Sequence, residues 1–265
     1  MPCSGSVRSV AVGLAIAAAS VAAGCGAETD DLTVVQDAIT VDNALSANAL
    51  SANALSVNAL SANALSANAL SANALSANAL TATALRDPLA REFLRYVVSC
   101  ALDEDDGFTM KIDGKKYAFP GGLGLAPEWG KSCGSCDGEC QRWVSACVLA
   151  RVDAAGVKRI ISLRGEHRAL KPDGNELRKY TVREATYYGN VFVRNQPKYL
   201  CLSPGMTSDQ RVCGDSMSDC PMTVVGECDD ACDDGPYDSF SDCSDKGRHR
   251  RGTTYHESIT VFLPK

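Results

Sequence analysis

The stretch "DPLAREFLRYVVSCALDEDDGFTMKIDGKKYAF" (residues 87–119) carries a helix and a hairpin one after the other, and that order decides the fold class. Asp87 is an N-cap and Pro88 suits the first helical position, where its missing N–H is not needed. Leu89, Phe93, Tyr96, Val97 and Cys100 then recur at helical spacing. "FTMKIDGKKYAF" reads as two strands about Asp113-Gly114, the dipeptide that a tight hairpin turn demands. A second helix is expected from Asp137 or Gly138 to Val152, with Trp143, Val144, Cys147 and Val148 on its apolar side. Strands are expected at residues 158–163, 186–193, 198–202 and 258–263. Helices and strands do not alternate regularly, so the class is α+β and not a doubly wound sheet.

Immediately upstream, residues 43–85 repeat the pentad Asn-Ala-Leu-Ser-Ala with almost no variation and no charge until Arg86. In an α-helix, residues five apart lie about 140° from one another, so the Leu residues would circle the helix instead of striping it. In a flat strand an odd period throws successive Leu residues onto opposite faces. A square solenoid with four sides per coil suits the period, and the segment resembles the pentapeptide-repeat fold. That family has a small residue two places before the central Leu and Asn or Asp directly before it. Here Asn48 and Ala49 before Leu50 are exchanged. The other reading is a low-complexity disordered tether, spanning about 35–40 Å as a flexible coil. No residue of the repeat can do acid–base or nucleophilic work.

The first 25 residues read as a signal peptide. Arg8 supplies the positive n-region, and the apolar run of residues 10–23 is too short to span a bilayer. It ends in Ala22-Ala23-Gly24-Cys25, which resembles a bacterial lipobox and makes Cys25 the expected lipidation site. Cleavage at an ordinary A-x-A site, giving a soluble secreted protein, is the alternative. The chain thus divides into a signal (1–25), a polar linker (26–42), the repeat (43–85) and a cysteine-rich α+β domain (86–265).

Of thirteen cysteines, setting aside Cys3 and Cys25 leaves eleven between Cys100 and Cys243. In an exported chain this density argues for disulfides. The candidates are Cys133, Cys136, Cys140, Cys147, Cys201, Cys213, Cys220, Cys228, Cys232 and Cys243, and an odd total leaves one thiol unpaired. The spacings Cys133-x2-Cys136 with Cys140, and Cys228-x3-Cys232, would also serve a zinc site, but an oxidising compartment favours bridges. The net charge is −6, concentrated between Asp209 and Asp245, where Arg211 is the only base. This stretch reads as a solvated acidic loop meeting the basic run "KGRHRR" (246–251), and such a run in an acidic exported chain is no nucleic-acid signal. Asp230, Asp234, Asp238 and Asp242 are weak calcium candidates, although the EF-hand pattern fails, with Cys232 at its third position and Ser241 at its twelfth.

Catalytic motifs fail on their neighbours. "CGSC" (133–136) resembles the papain-like nucleophile run, but Gly130 stands where that family has Gln, and Asp137 follows where it has an aromatic residue. "CGDSMSDC" (213–220) resembles the trypsin-type Gly-Asp-Ser, but Met217 and Ser218 follow Ser216 and no matching histidine context lies upstream. His167 beside Glu166 is the remaining hint of acid–base chemistry. Tyr187, Tyr188 and Phe192 in "ATYYGNVF" could form a ligand platform or simply a half-buried strand.

The repeat behind a signal, together with "LAPEWGKSCGSCDGECQRWVSACVLARV" (125–152) and "EATYYGNVF" (184–192), resembles a group of uncharacterised exported proteins of myxobacteria. The resemblance implies a provenance and no activity. The expectation is therefore a cell-envelope lipoprotein at the outer membrane or cell surface. It would be held by its lipid anchor, need no cofactor, and bind an envelope protein or polysaccharide as a binding or structural module. The alternative is a secreted hydrolase with a non-standard site.

Overall fold

The computed structural model describes residues 41–43, 45, 70–71, 83–132, 134–247 and 250–265. After the short strand β1 (Val41–Asn43) comes α1 (Pro88–Ala101), capped as its sequence demands: the Asp87 carboxylate accepts the Leu89 N–H at 2.8 Å. Phe93, Tyr96, Val97 and Cys100 form its buried face. Strands β2 (Phe108–Ile112) and β3 (Lys115–Phe119) pair antiparallel, and both turn residues, Asp113 (φ 48°) and Gly114 (φ 80°), are left-handed. That pair of angles matches the right-handed twist of the flanking strands. Helix α2 (Gly138–Ala150) begins at Asp137, whose carboxylate accepts the Cys140 N–H at 3.0 Å.

The remaining elements are β4 (Arg159–Arg164), α3 (Gly174–Lys179), β5 (Tyr180–Gly189), β6 (Lys198–Leu202), α4 (Gln210–Cys213), β7 (Thr223–Glu227), α5 (Cys228–Ala231), the short strands β8 (Asp233–Asp234), β9 (Phe240–Ser241), β10 (Cys243–Ser244) and β11 (Thr254–Tyr255), and finally β12 (Ser258–Pro264). One six-stranded sheet runs in the order β1-β4-β12-β5-β6-β7, antiparallel except for the parallel pair β6–β7. The C-terminal strand β12 therefore sits in the middle of the sheet, buried on both faces. The fold is mixed α+β.

Alternation along β5 and β12 sorts side chains to two faces. Ala185, Tyr187, Ile259 and Val261 meet α1 and α2 in the main core. The opposite face carries Tyr188 and Cys201, which pack with Cys228, Cys232, Phe240, Cys243 and Tyr255. That second layer is fastened to the sheet by hydroxyls. Thr186 and Thr260 bond each other at 2.8 Å, Thr260 Oγ1 accepts the Phe240 N–H at 2.9 Å, and Ser258 Oγ donates to Phe240 O at 2.8 Å. Strand β5 stops earlier than expected, because Gly189 takes φ 135° and a Cβ there would lie 2.2 Å from the Pro197 carbonyl oxygen. Val191 and Phe192 then fold into the helical layer.

Five disulfides brace the domain among the described residues: Cys100–Cys147, Cys136–Cys140, Cys201–Cys228, Cys213–Cys220 and Cys232–Cys243. Cys100, expected only as a helix-face residue, joins α1 to α2. Cys133 lies outside the described residues, as do the signal peptide and Cys25. The core also reaches upstream of residue 86. Leu45, Leu70 and Leu85 are each at most 1% exposed, and β1 pairs its backbone with β4. The solenoid and tether alternatives for the other pentads fall outside the described residues.

Cys100–Cys147 closes the longest of these loops, with a sequence separation of 47. Replacing both cysteines by Ala should lower unfolding free energy by about 4 kcal/mol on loop entropy, read by denaturant titration. The same change at Cys136 and Cys140, four residues apart, should cost clearly less. Equal losses would contradict the assignment of Cys100–Cys147 as the principal brace.

A buried ionic floor beneath an apolar-walled cleft

Between the start of β4, the end of β12 and the loop leading into α4 lies a cleft of about 1080 Å³. Its walls include Ile160, Met206, Leu263 and Pro264, its rim Ser208, Gln210 and Asp215, and its floor Glu184, Asp209 and Arg211. Ile160 is 54% exposed, more than any other large apolar side chain among the described residues.

Glu184 reaches this floor through a β-bulge. Val261 pairs with Ala185 and Phe262 with Arg183, so Glu184 is the extra residue. Strict alternation would send Glu184 to the face opposite Tyr187; the bulge turns it to the same face. Asp209 caps α4, accepting the Val212 N–H at 3.1 Å, and so presents Arg211 within the first turn.

The Arg211 guanidinium is enclosed on every side. Nε donates to Glu184 Oε2 at 2.9 Å. Nη2 donates to Glu184 Oε2 at 2.7 Å and to the Tyr187 hydroxyl at 2.8 Å. Nη1 donates to the carbonyls of Ala150, the last residue of α2, at 2.9 Å, and of Val152, just beyond it, at 2.5 Å. Tyr187 in turn donates a short bond to Asp209. All four side chains are buried. Burial raises the Glu184 carboxyl above its ordinary value, with Asp209 adding to the rise and Arg211 opposing it. Burial likewise lifts the Tyr187 phenol, and the surrounding anions hold Arg211 charged. With all five guanidinium N–H groups engaged, the floor has no cationic donor left for a substrate oxyanion. It is a rigid, self-satisfied base for the cleft.

A second buried group lies toward the opposite layer. Arg164 donates to Ser162 Oγ at 3.1 Å, to Tyr180 O at 2.5 Å and to Tyr237 O at 3.3 Å, and stacks on Phe262 at 3.7 Å. Nearby Glu176 is 4% exposed, and neither carboxylate oxygen has a well-formed hydrogen bond. Burial raises its pKa, opposed by Ser162 and Arg164.

The residues singled out by sequence are scattered. Tyr187, Tyr188 and Phe192 do not form a platform: all are at most 1% exposed, Tyr187 on the ionic floor, Tyr188 bonded to Ser244 O at 3.0 Å, and Phe192 edge-on to Trp129. His167 Nδ1 accepts the Ala169 N–H at 3.1 Å and its ring packs on Trp143. Burial and Arg168 lower its pKa, and His167 is not among the residues that line the cleft. Cys136 is bridged to Cys140, and Ser216 bonds Ser218 at 2.7 Å inside the loop closed by Cys213–Cys220. Among the described residues, only Cys201, Cys228 and Cys232 bring three ligand atoms within 4.8 Å. All three are in disulfides, with Cys201 and Cys232 sulfurs 3.5 Å apart. Asp230, Asp234, Asp238 and Asp242 form no such group; Asp242 bonds His256 Nδ1 instead. The reading of residues 209–245 as a solvated loop needs correction at its start, where Asp209 and Arg211 are buried. Their signal was missed because a lone base among acids shows charge balance, not partners.

Arg211→Met should destabilise the domain by about 3–5 kcal/mol, since it strands Glu184 and Asp209 without a countercharge. Adding Glu184→Leu should recover part of that loss; a chemical denaturation series checks both. For Glu176, a folded pKa above the unfolded value means its favourable contribution is complete below about pH 4.3. That contribution is lost as pH rises through the folded pKa. Glu176→Met should therefore melt progressively higher than wild type as pH rises from 4 to 8; a pH-independent difference would contradict this.

Comparison of the chain with protein-family models, curated proteins and solved structures returns no match, so the functional argument rests on this geometry.

Proposed function

We propose that this protein is an exported cell-envelope lipoprotein, anchored through Cys25, whose α+β domain is a binding or structural module for an envelope protein or polysaccharide. The observation that carries the binding reading is the cleft itself. Its walls expose Ile160 and other apolar groups, whereas its charged floor is satisfied internally and rigid. Such a site can bury apolar surface and select shape without offering a nucleophile and base in reach of each other. Five disulfides fit an exported protein. No helix among the described residues is long and apolar enough to cross a membrane, so a lipid at Cys25 would supply the attachment.

Two measurements test the parts separately. Cys25→Ser should move the protein from the membrane fraction to the soluble fraction, and mass spectrometry of the wild type should find an acylated N-terminal Cys25. An unmodified N-terminus elsewhere would remove the anchor. The purified, soluble Cys25→Ser protein should bind reversibly to purified cell envelopes added at much higher concentration than fractionated cells provide, in a titrated co-sedimentation assay. Adding Ile160→Arg at the cleft wall should weaken that retention by about tenfold, the scale of one lost apolar contact site. Undiminished retention would rule out the cleft as the binding surface.

A further inference from the structure

Leu45 and Leu70 occupy the same position in their pentads, and both are treated by the domain as ligands. Leu45 is fully buried; its N–H donates to Arg151 O at 3.2 Å, and its carbonyl accepts the Asp153 N–H at 3.0 Å, a parallel bridge about Val152. Leu70 is 1% exposed, and its N–H donates to Trp129 O at 2.8 Å. Each contact uses only what every pentad possesses: a Leu side chain and the backbone polar groups of that Leu. The residues just before Leu45 add backbone pairing through β1, opposite Arg159, Ile160 and Ile161, and backbone pairing is tolerant of sequence.

Asn-Ala-Leu occurs eight times between Asn43 and Leu80. A shift by one pentad presents an identical triplet to the same site and moves the chain by at most about 18 Å. Neighbouring pentads are covalently tethered to the site, at an effective concentration in the millimolar range. We infer that the domain carries a binding site, formed at Arg151, Val152 and Asp153, for an extended Asn-Ala-Leu segment, and that the pentads are exchangeable occupants of it. A second such site lies at Trp129. The repeat is then a multivalent internal ligand, and its uniformity keeps every register equivalent. This reading is independent of lipidation at Cys25 and of the cleft's partner.

The Asp153 amide reports occupancy of the first site, and its hydrogen exchange can be followed in the full chain. With Leu45→Ser alone, a neighbouring pentad should take over, and protection should fall by no more than about fivefold. With Leu45, Leu50, Leu55, Leu60, Leu65, Leu75 and Leu80 all changed to Ser, and Leu70 left in its own site, it should fall by about thirtyfold or more, as expected for emptying a buried Leu site. Adding a peptide of residues 61–80 to that variant should restore protection, whereas the same peptide with Ser in place of Leu should not. The inference is overturned if Leu45→Ser alone causes the large loss, since Leu45 would then be a unique anchor. Retention of protection in this multiple variant, or restoration by the Ser peptide, would overturn it equally, because the site would not be reading Leu. Should the multiple variant unfold, seen as lost protection at Val144 in α2, the single substitution still decides between exchange and a unique anchor.

Discussion

The guanidinium of Arg211 joins three parts of the domain that are distant in sequence. It binds the carbonyls of Ala150 and Val152 where α2 ends, Glu184 on the bulge of β5, and the Tyr187 hydroxyl that also serves Asp209. Each of those groups would be expensive to bury alone. A helix C-terminus leaves carbonyls without partners, and a carboxylate in the interior needs both a countercharge and donors. Arg211 answers both needs at once, because its five donors lie in one plane and fork in three directions. The α2 end, the bulge and α4 consequently hold one another in place, and the cleft acquires a floor that does not yield to solvent or ligand.

The opposite face of the sheet solves a different problem by different means. Between Cys228 and Tyr255 the described chain forms two-residue strands, one 3-10 turn and a single-turn helix, which cannot bury a core of their own. Covalent bridges Cys201–Cys228 and Cys232–Cys243 tie this layer to β6 and to itself, and Thr260 and Ser258 supply hydrogen bonds from the central strand. The aspartates 229, 230, 233, 234 and 238 remain exposed on its outside. The layer is thus stapled inward and solvated outward, so its acidic composition and its dense cysteines are two sides of one arrangement.

Local signals were legible wherever one residue acts on its immediate neighbours. Asp87-Pro88, Asp113-Gly114 and Asp137 set α1, the hairpin and α2 in the sequence as in the structure. Strand β6 and nearly all of β12 could also be read from their apolar runs. What could not be read depends on pairing at a distance. The first half of β5 is disguised by its bulge, which places a charged residue on the core side, against the alternation that marks a strand. Strand β7 is half-exposed, and Gly226 at φ 120° cuts its strand-favouring Thr223-Val224-Val225 run too short to show a period. Asp209 and Arg211 look solvated in a sequence because nothing local announces Glu184 or Tyr187.

The pentad repeat shows the same limit in another form. Testing its period against a helix, a strand and a solenoid asks whether the Leu residues can form a core with one another. Leu45 and Leu70 pack instead into a core built by the rest of the chain, where each needs only one site and the spacing between them is irrelevant. Burying one Leu contributes roughly 1.5–3 kcal/mol, so two or three attachments suffice to hold a long segment against its loop entropy, which grows only logarithmically with length. A repeat without charges, glycines or aromatics is suited to that role. Every copy offers the same apolar side chain and the same unhindered backbone, and no copy carries a group that would have to be desolvated when it docks.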